Sequence, residues 1–168
     1  MAKNTKEKKY VMLAAALCAA SIIAMIIALC APRSAVVGEF IPPEFDASAL
    51  VGEPSVPSDL GYMEPYKEGM SFRAAVCGNL VVNGGEADVY FTNKSESDVW
   101  LLLRVTDENG EVLAETGLVR AGEYVKTIRF EKVPTEGQKV LYKVMAYEPE
   151  TYLSMGYFTV RTEAHIGK

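Results

Sequence analysis

Histidine and cysteine are scarce in this sequence, and their scarcity limits the chemistry that the chain can perform. There is one histidine, His165, and two of the three cysteines, Cys18 and Cys30, lie in an apolar run near the N-terminus. Catalytic triads and the common zinc sites need a histidine beside other ligands or nucleophiles, which a lone histidine near the C-terminus does not supply. Cys77 lacks a partner for an internal disulfide, so it is expected to be a small buried residue, with a disulfide to a second chain as the alternative. We therefore predict no metal, no cofactor and no enzymatic activity.

Motifs that bind phosphate or calcium are also missing. No glycine-rich phosphate loop occurs. The segment DENGE, which begins at Asp107, is superficially similar to a calcium loop, but the twelfth position is Leu118, where that loop needs a bidentate glutamate. A hairpin turn explains the segment better. Glu148 and Glu150 flank a proline in another turn, where exposure gives no burial to separate their pKa values as an acid and a base require.

Basic residues form no cluster beyond the N-terminus. Residues 1–10 have a net charge of +3, residues 11–31 have no charge, and the chain from residue 32 onward is net acidic. Binding to nucleic acid relies on lysine and arginine side chains that face the phosphates, so we predict no nucleic-acid partner.

One long uncharged run, Tyr10 to Ala31, contains no glycine or proline. A helix over this run would be about 30 Å long, the thickness of the hydrocarbon core of a bilayer. We therefore predict a transmembrane helix at residues 10–31 that contacts membrane lipid. The lysines before it predict a cytoplasmic tail at residues 1–9 and an extracytoplasmic location for the rest.

Cleavage of the run is the alternative to a retained anchor. The run is longer than the apolar part of an ordinary secretory signal, and cleavage after Cys30 would leave Pro32 next to the cut. Lipidation fits poorly because Cys18 and Cys30 each follow a leucine, where the peptidase needs a small residue. We predict a single-pass cell-membrane protein, with a secreted or lipidated protein after loss of residues 1–30 as the alternative.

Alanines recur at a spacing of four within the run: Ala16, Ala20, Ala24 and Ala28. Small residues on one stripe let two helices approach closely, so this stripe is a candidate helix–helix contact in a homo-oligomer. A run with this many alanines also produces such a stripe by chance.

Residues 32–70 contain six of the eight prolines and are strongly acidic. Proline removes backbone donors and excludes regular helices and central strands. We predict a linker that is extended and mostly irregular, with some apolar residues able to contact the domain that follows.

Residues 71–162 change to a period of two, with turn signals every 8–15 residues and no helical stripe. The clearest strand, EADVYFTN, places Ala87, Val89 and Phe91 on one face, and the Asn109-Gly110 pair is a strong hairpin signal. We predict an all-β domain of about seven antiparallel strands forming an immunoglobulin-like or fibronectin-like sandwich, followed by a tail at residues 163–168. Trp100 is expected to pack between the sheets.

Tyrosines concentrate in the last predicted hairpin. Tyr147, Tyr152 and Tyr157 surround its turn. Core packing explains such residues by default. Tyrosines exposed near a loop tip would instead form a surface for a partner, because they give a large contact area at low entropic cost.

Two segments carry a resemblance to a known group of proteins. GEVLAETGLVRAGEY and MAYEPETY resemble parts of small single-pass surface proteins of Gram-positive bacteria with sandwich domains, some of them encoded on integrative or conjugative elements. The resemblance covers most of residues 40–162, and it implies no activity and no catalytic residue. The chain lacks the cysteine pair of antibody domains, so both sandwich types stay open.

The function predicted from these features is that of an extracytoplasmic binding or assembly module with an unknown protein or cell-wall partner. The alternative is a structural subunit of an envelope machine, such as one for conjugative transfer, that oligomerises through its membrane helix.

Overall fold

The computed structural model describes residues 3–30, 40–65, 69 and 71–167, and within the helix the side chains of residues 9–13, 15–22 and 25. The chain divides into two compact units, residues 1–41 and residues 42–168.

The first unit contains one helix, α1 (Lys3–Cys30), of 28 residues. Its polar Ser21 hydroxyl donates to the carbonyls of Leu17 (3.0 Å) and Cys18 (2.9 Å), so the helix satisfies its own polar side chain. Of the predicted span, residue 31 lies outside the described residues. Among the residues described, no helix combines the length and the apolar character that crossing a membrane requires.

The second unit is mostly β, and its described residues form one curled sheet of ten strands. The strands are β1 (Leu50–Val51), β2 (Tyr62–Met63), β3 (Ala74–Cys77), β4 (Leu80–Asn83), β5 (Glu86–Asn93), β6 (Trp100–Asp107), β7 (Val112–Glu115), β8 (Glu123–Arg129), β9 (Lys139–Tyr147) and β10 (Ser154–Ile166). The order across the sheet is β1-β8-β5-β4-β10-β9-β6-β7, and β3 pairs with both β2 and β5.

The core lies inside the curl and takes side chains from both halves of the sheet. Alternate residues of β5 enter it, as the sequence predicts for Ala87, Val89 and Phe91. Strand β9 contributes Tyr142 and Val144, which are fully buried. This alternation explains why an all-β pattern could be recognised in the sequence.

Three features differ from the sequence-based description. First, the β unit begins at residue 42, not 71, because β1 and β2 come from the predicted linker and pair with β8 and β3. Of the described part of that linker, four residues thus lie in strands of the sheet, and most of the others lie outside regular elements. The remainder of it lies outside the described residues.

Second, the segment FRAAVCGNLVV, whose pattern predicts a first strand interrupted by a bulge at Gly78, forms two separate strands, β3 and β4. A Cβ at this position would lie 3.0 Å from Met63 Cε and 3.3 Å from the Gly61 carbonyl oxygen. The Gly78 N–H donates to that same carbonyl at 3.0 Å. The chain before β3 thus crosses close to Gly78, and a side chain at this position would crowd Met63 and the Gly61 carbonyl.

Third, β10 continues to Ile166, so the predicted tail at residues 163–168 begins inside the last strand. Residues Ala164 to Ile166 pair in parallel with β4, although all other strand pairs among the described residues are antiparallel. His165 is therefore a strand residue. It is exposed, and its Nδ1 lies 3.0 Å from Glu136 Oε1.

Candidate functional site

The strands β6, β9 and β10 carry a group of large side chains on the side of the sheet that faces away from the core. Trp100 lies directly opposite Tyr147 across the β6–β9 pair, and Tyr157 lies opposite Met145 across the β9–β10 pair. We call this surface the aromatic face, and it comprises Phe45, Trp100, Met145, Tyr147, Tyr152 and Tyr157.

The position of Trp100 corrects the expectation that it packs between the sheets. Leu101, Leu103 and Val105 point into the core, so Trp100, one residue out of phase, points to the other side. It is only partly buried. There its ring meets Phe45 edge-on at 4.7 Å and Tyr152 at 5.3 Å between centroids.

A strap from the N-terminal side of the β unit brings Phe45 to this face. We define the strap as residues 43–52. The Leu118 N–H donates to the Glu44 carbonyl at 2.8 Å, and the Asp46 N–H donates to the Leu118 carbonyl at 2.9 Å. Phe45 is thereby held between Trp100 and Arg120, whose guanidinium carbon lies 3.6 Å from the ring centroid. No periodic pattern in the sequence predicts this contact.

The β9–β10 turn places Tyr152. The Tyr152 N–H donates to the Glu148 carbonyl at 3.0 Å, and Glu148 donates its own N–H to Leu153 at 2.8 Å. Glu150 and Tyr152 have φ values of 67° and 57°. This is the left-handed backbone conformation, which residues other than glycine adopt at an energetic cost. The turn therefore fixes the ring of Tyr152 against Trp100.

Tyr157 is the most exposed ring of the aromatic face, with 64% of its surface accessible. The Lys143 ammonium lies 4.4 Å from its ring centroid. Tyr147 is partly buried, with its hydroxyl 4.0 Å from Met145 Sδ. Leu153 and Met155, in and just after the turn, are 63% and 45% exposed. A cluster of exposed apolar and aromatic groups of this kind is typical of a surface that contacts another macromolecule.

The structure thus brings together the three tyrosines that the sequence singled out, and their role as a partner surface stays a prediction. It adds Trp100, whose outward position sequence reasoning missed, and Phe45, one of the apolar linker residues expected to be able to contact the domain. Strict alternation along β6 could have placed Trp100 correctly. For the alanine stripe, Ala16 and Ala20 are exposed on α1, whereas the side chains of Ala24 and Ala28 lie outside the described residues.

Asp107 and Glu148, two of the carboxylates considered for chemistry, accept hydrogen bonds within turns. Asp107 Oδ1 accepts the N–H groups of Glu111 (2.8 Å) and Asn109 (2.9 Å), which closes the predicted β6–β7 hairpin. These bonds, that of Glu111 first, hold the pKa of Asp107 below its usual value. Within the described part of the chain, no group of three or more His, Cys, Asp and Glu residues is placed to hold a metal ion.

Cys77 is completely buried in β3. Burial raises the pKa of its thiol to about 12, and the charges of Asp88 and Asp59 add to the effect. The thiolate is the reactive form of cysteine, so the folded protein keeps this thiol protected and unreactive. A disulfide between two chains through Cys77 is incompatible with this position.

An open groove of about 470 Å³ lies beside β5 and is lined by acidic and amide groups, among them Asp59, Asn83, Glu86 and Asp88. Asp88 accepts a hydrogen bond from the Thr127 hydroxyl at 2.7 Å and forms an ion pair with Lys126 at 3.6 Å. Its carboxylate thus already has partners within the sheet.

Comparison with known proteins gives no match: neither a family model, nor a curated protein, nor a solved structure is similar to this chain.

Proposed function

We propose that this chain is a membrane-anchored binding and assembly module without catalytic activity, and that its β unit is displayed outside the cytoplasm. The observation that carries the proposal is the aromatic face. It exposes Tyr157 on the sheet, and the exposed Met155 lies two residues before it in β10. Such a surface suits recognition of a protein or cell-wall partner.

The proposal of a membrane anchor is based on the sequence of the first unit. Its uncharged run is long enough for a bilayer, and lysines precede it, which favours a cytoplasmic N-terminus. α1 extends over nearly all of this run.

The β unit is, in this proposal, a variant of the immunoglobulin-like or fibronectin-like sandwich. Strands β7, β6, β9 and β10 would form one layer, and β1, β8, β5, β3 and β4 the other. The passage of β10 from one half of the sheet to the other, where it pairs in parallel with β4, supports this division.

Protease added to intact cells tests the placement. We expect the β unit to be degraded while the N-terminal tail stays protected, because only the β unit would lie outside the membrane. One epitope tag at each end of the chain detects the loss of the β unit and the protection of the N-terminal tail separately. Degradation that requires broken cells would show the reverse orientation and end the proposal of an outward-facing role.

Replacing Tyr157 by alanine tests the aromatic face. The side chain is largely exposed, so the free energy of unfolding should change by no more than about 0.5 kcal/mol. Retention of the partner, captured by crosslinking on intact cells, should fall by about tenfold, because exposed aromatic residues contribute strongly to binding.

Val133→Ala is the matched control. Val133 is 54% exposed and lies in the β8–β9 connection, outside the aromatic face. If Tyr157→Ala and Val133→Ala retain the partner equally well, the aromatic face is not the binding surface.

A further inference from the structure

Among the described residues, none pairs with one side of the β10 backbone over most of its length. Residues 154–163 pair with β9, but the pairing with β4 on the other side is limited to Ala164–Ile166. Among the described residues, no backbone hydrogen bond reaches the open side between Ser154 and Arg161. We call residues 154–161 the β10 edge. It offers a row of amide and carbonyl groups about 27 Å long to an added strand.

The other edges of the sheet are protected. The outer side of β7 is covered, because Ala114 bridges to Phe130 and the Glu131 N–H donates to the Leu113 carbonyl at 2.9 Å. Strands β1 and β2 are two residues long, and each is followed within three residues by a glutamate and a proline. Short strands, charges and prolines are the usual means by which edges avoid pairing with another chain.

The β10 edge lacks these protections. No charged residue or proline occurs from Ser154 to Val160. Phe158 and Val160 point toward the core but are only partly buried, whereas the inward residues of β9, such as Val144, are completely buried. An additional strand beside β10 would complete the burial of Phe158 and Val160.

We propose that the β10 edge pairs in antiparallel fashion with the β10 edge of a second copy of this chain. A two-fold axis at Thr159 gives a self-complementary register. On the face of the sheet that packs against the core, Phe158 of each copy lies opposite Val160 of the other, an aromatic and β-branched pair. Outside, Thr159 faces its counterpart and Tyr157 faces Arg161. Each of these cross-strand pairs is favourable.

The side chains also oppose the simplest alternative arrangement. A parallel pair in register would set Arg161 of one copy beside Arg161 of the other, and like charges directly opposite are destabilising. Arg161 has no ion pair among the described residues, so its guanidinium is available to the facing tyrosine. Pairing of a single strand buries less surface than a standard interface, so association should depend on concentration.

Crosslinking of the full chain in its native membranes tests the proposal. A Thr159→Cys change is made in a Cys18→Ser, Cys30→Ser background, and Cys77 stays because it is buried. Opposed residues in a strand pair have Cβ atoms about 5 Å apart, so a short bismaleimide should join two copies of the variant. Val133→Cys, an exposed position away from the edge, is the control and should give at least fivefold less dimer.

A charge exchange tests the register. Tyr157→Arg, added to Thr159→Cys, would face Arg161 of the other copy and should lower the dimer yield at least fivefold. Adding Arg161→Glu restores an attractive pair. The dimer yield should then return to within twofold of the yield with Thr159→Cys alone. All of these side chains are largely exposed, so circular dichroism should show an unchanged fold.

Three results would overturn the pairing: equal dimer from positions 159 and 133, no loss with Tyr157→Arg, or no recovery when Arg161→Glu is added to Tyr157→Arg. Crosslinking of position 159 to a different protein would assign the edge to that protein instead of a second copy. The charge exchange also separates this inference from the proposed function. The restored variant still lacks the Tyr157 ring, so it should dimerise and yet fail to retain the partner.

Discussion

Asn93→Asp should destabilise the β unit more than any other isosteric change in the described residues. Asn93 is completely buried at the end of β5, and its side-chain NH₂ donates to the carbonyls of Val99 (2.8 Å) and Val119 (3.0 Å). A carboxylate there would place a negative oxygen against two carbonyl oxygens without access to water. We expect a loss of about 4 kcal/mol in the free energy of unfolding at pH 7.

The pH dependence of this loss identifies its cause. Burial and the facing carbonyls would raise the pKa of Asp at position 93 above its value in the unfolded chain, which is about 3.9. The unfolded chain then binds fewer protons than the folded one as the pH rises above about 4, so the variant loses stability from there toward neutral pH. At pH 4 most of the charge penalty should be absent.

Asn93→Ala is the matched control, because it removes the two donated hydrogen bonds without adding a charge. Its loss should be about 2 kcal/mol and nearly independent of pH. Urea unfolding of the full chain in detergent, followed by the fluorescence of the single tryptophan, measures both variants against the unchanged protein at pH 4 and pH 7. Equal losses for the two variants at pH 7 would contradict the buried-charge argument.

The local features of the β unit could be predicted from the sequence because they depend on neighbouring residues. The alternation of apolar and polar residues predicted β5 with the bounds that the structure shows. The Asn109-Gly110 pair predicted the β6–β7 hairpin. Gly110 has a φ of 86°, which is why glycine is needed there. The tyrosines of the last hairpin were found for the same reason, since they lie close together in the chain.

Features that depend on distant backbone contacts could not be predicted. Strand β6 is apolar on both faces, and Leu102, on the outer face, is buried. It lines a pocket together with strap residues Pro43 and Phe45, so the strap explains the second apolar face. Nothing in the composition of residues 43–52 indicates which strand they cover. The parallel pairing of β10 with β4 also cannot be predicted from a local sequence pattern.

Gly117→Ala is the second change with a large expected effect, and it tests how the strap is held. A Cβ on Gly117 would lie 2.4 Å from the Asp46 backbone nitrogen and 2.8 Å from the Phe45 carbonyl carbon. These neighbours are backbone atoms, so they cannot rotate away, and the strap must move. Its hydrogen bonds to Leu118 would then be lost, and we expect the free energy of unfolding to fall by about 3 kcal/mol.

Trp100 reports the movement directly. Phe45 packs on its ring, so displacement of the strap should expose the indole, shift its emission to longer wavelength and increase quenching by acrylamide. Asp46→Ala is the control. It removes the hydrogen bond from the Gly117 N–H to the Asp46 carboxylate (2.9 Å), and the exposed bonds from the Ser48 N–H and hydroxyl, without a clash, so it should cost about 1 kcal/mol and leave the emission nearly unchanged.

Gly117→Ala also tests whether the strap contributes to partner binding by the aromatic face. The aromatic face joins Phe45 from the strap to Trp100 and Tyr152 from strands and a turn more than fifty residues later in the chain. A displaced strap removes Phe45 and its cation contact with Arg120, so the face should lose partner affinity even under conditions where the variant stays folded. If Gly117→Ala keeps the stability and the Trp100 emission of the unchanged protein, the strap does not occupy this position and the aromatic face lacks its Phe45 component.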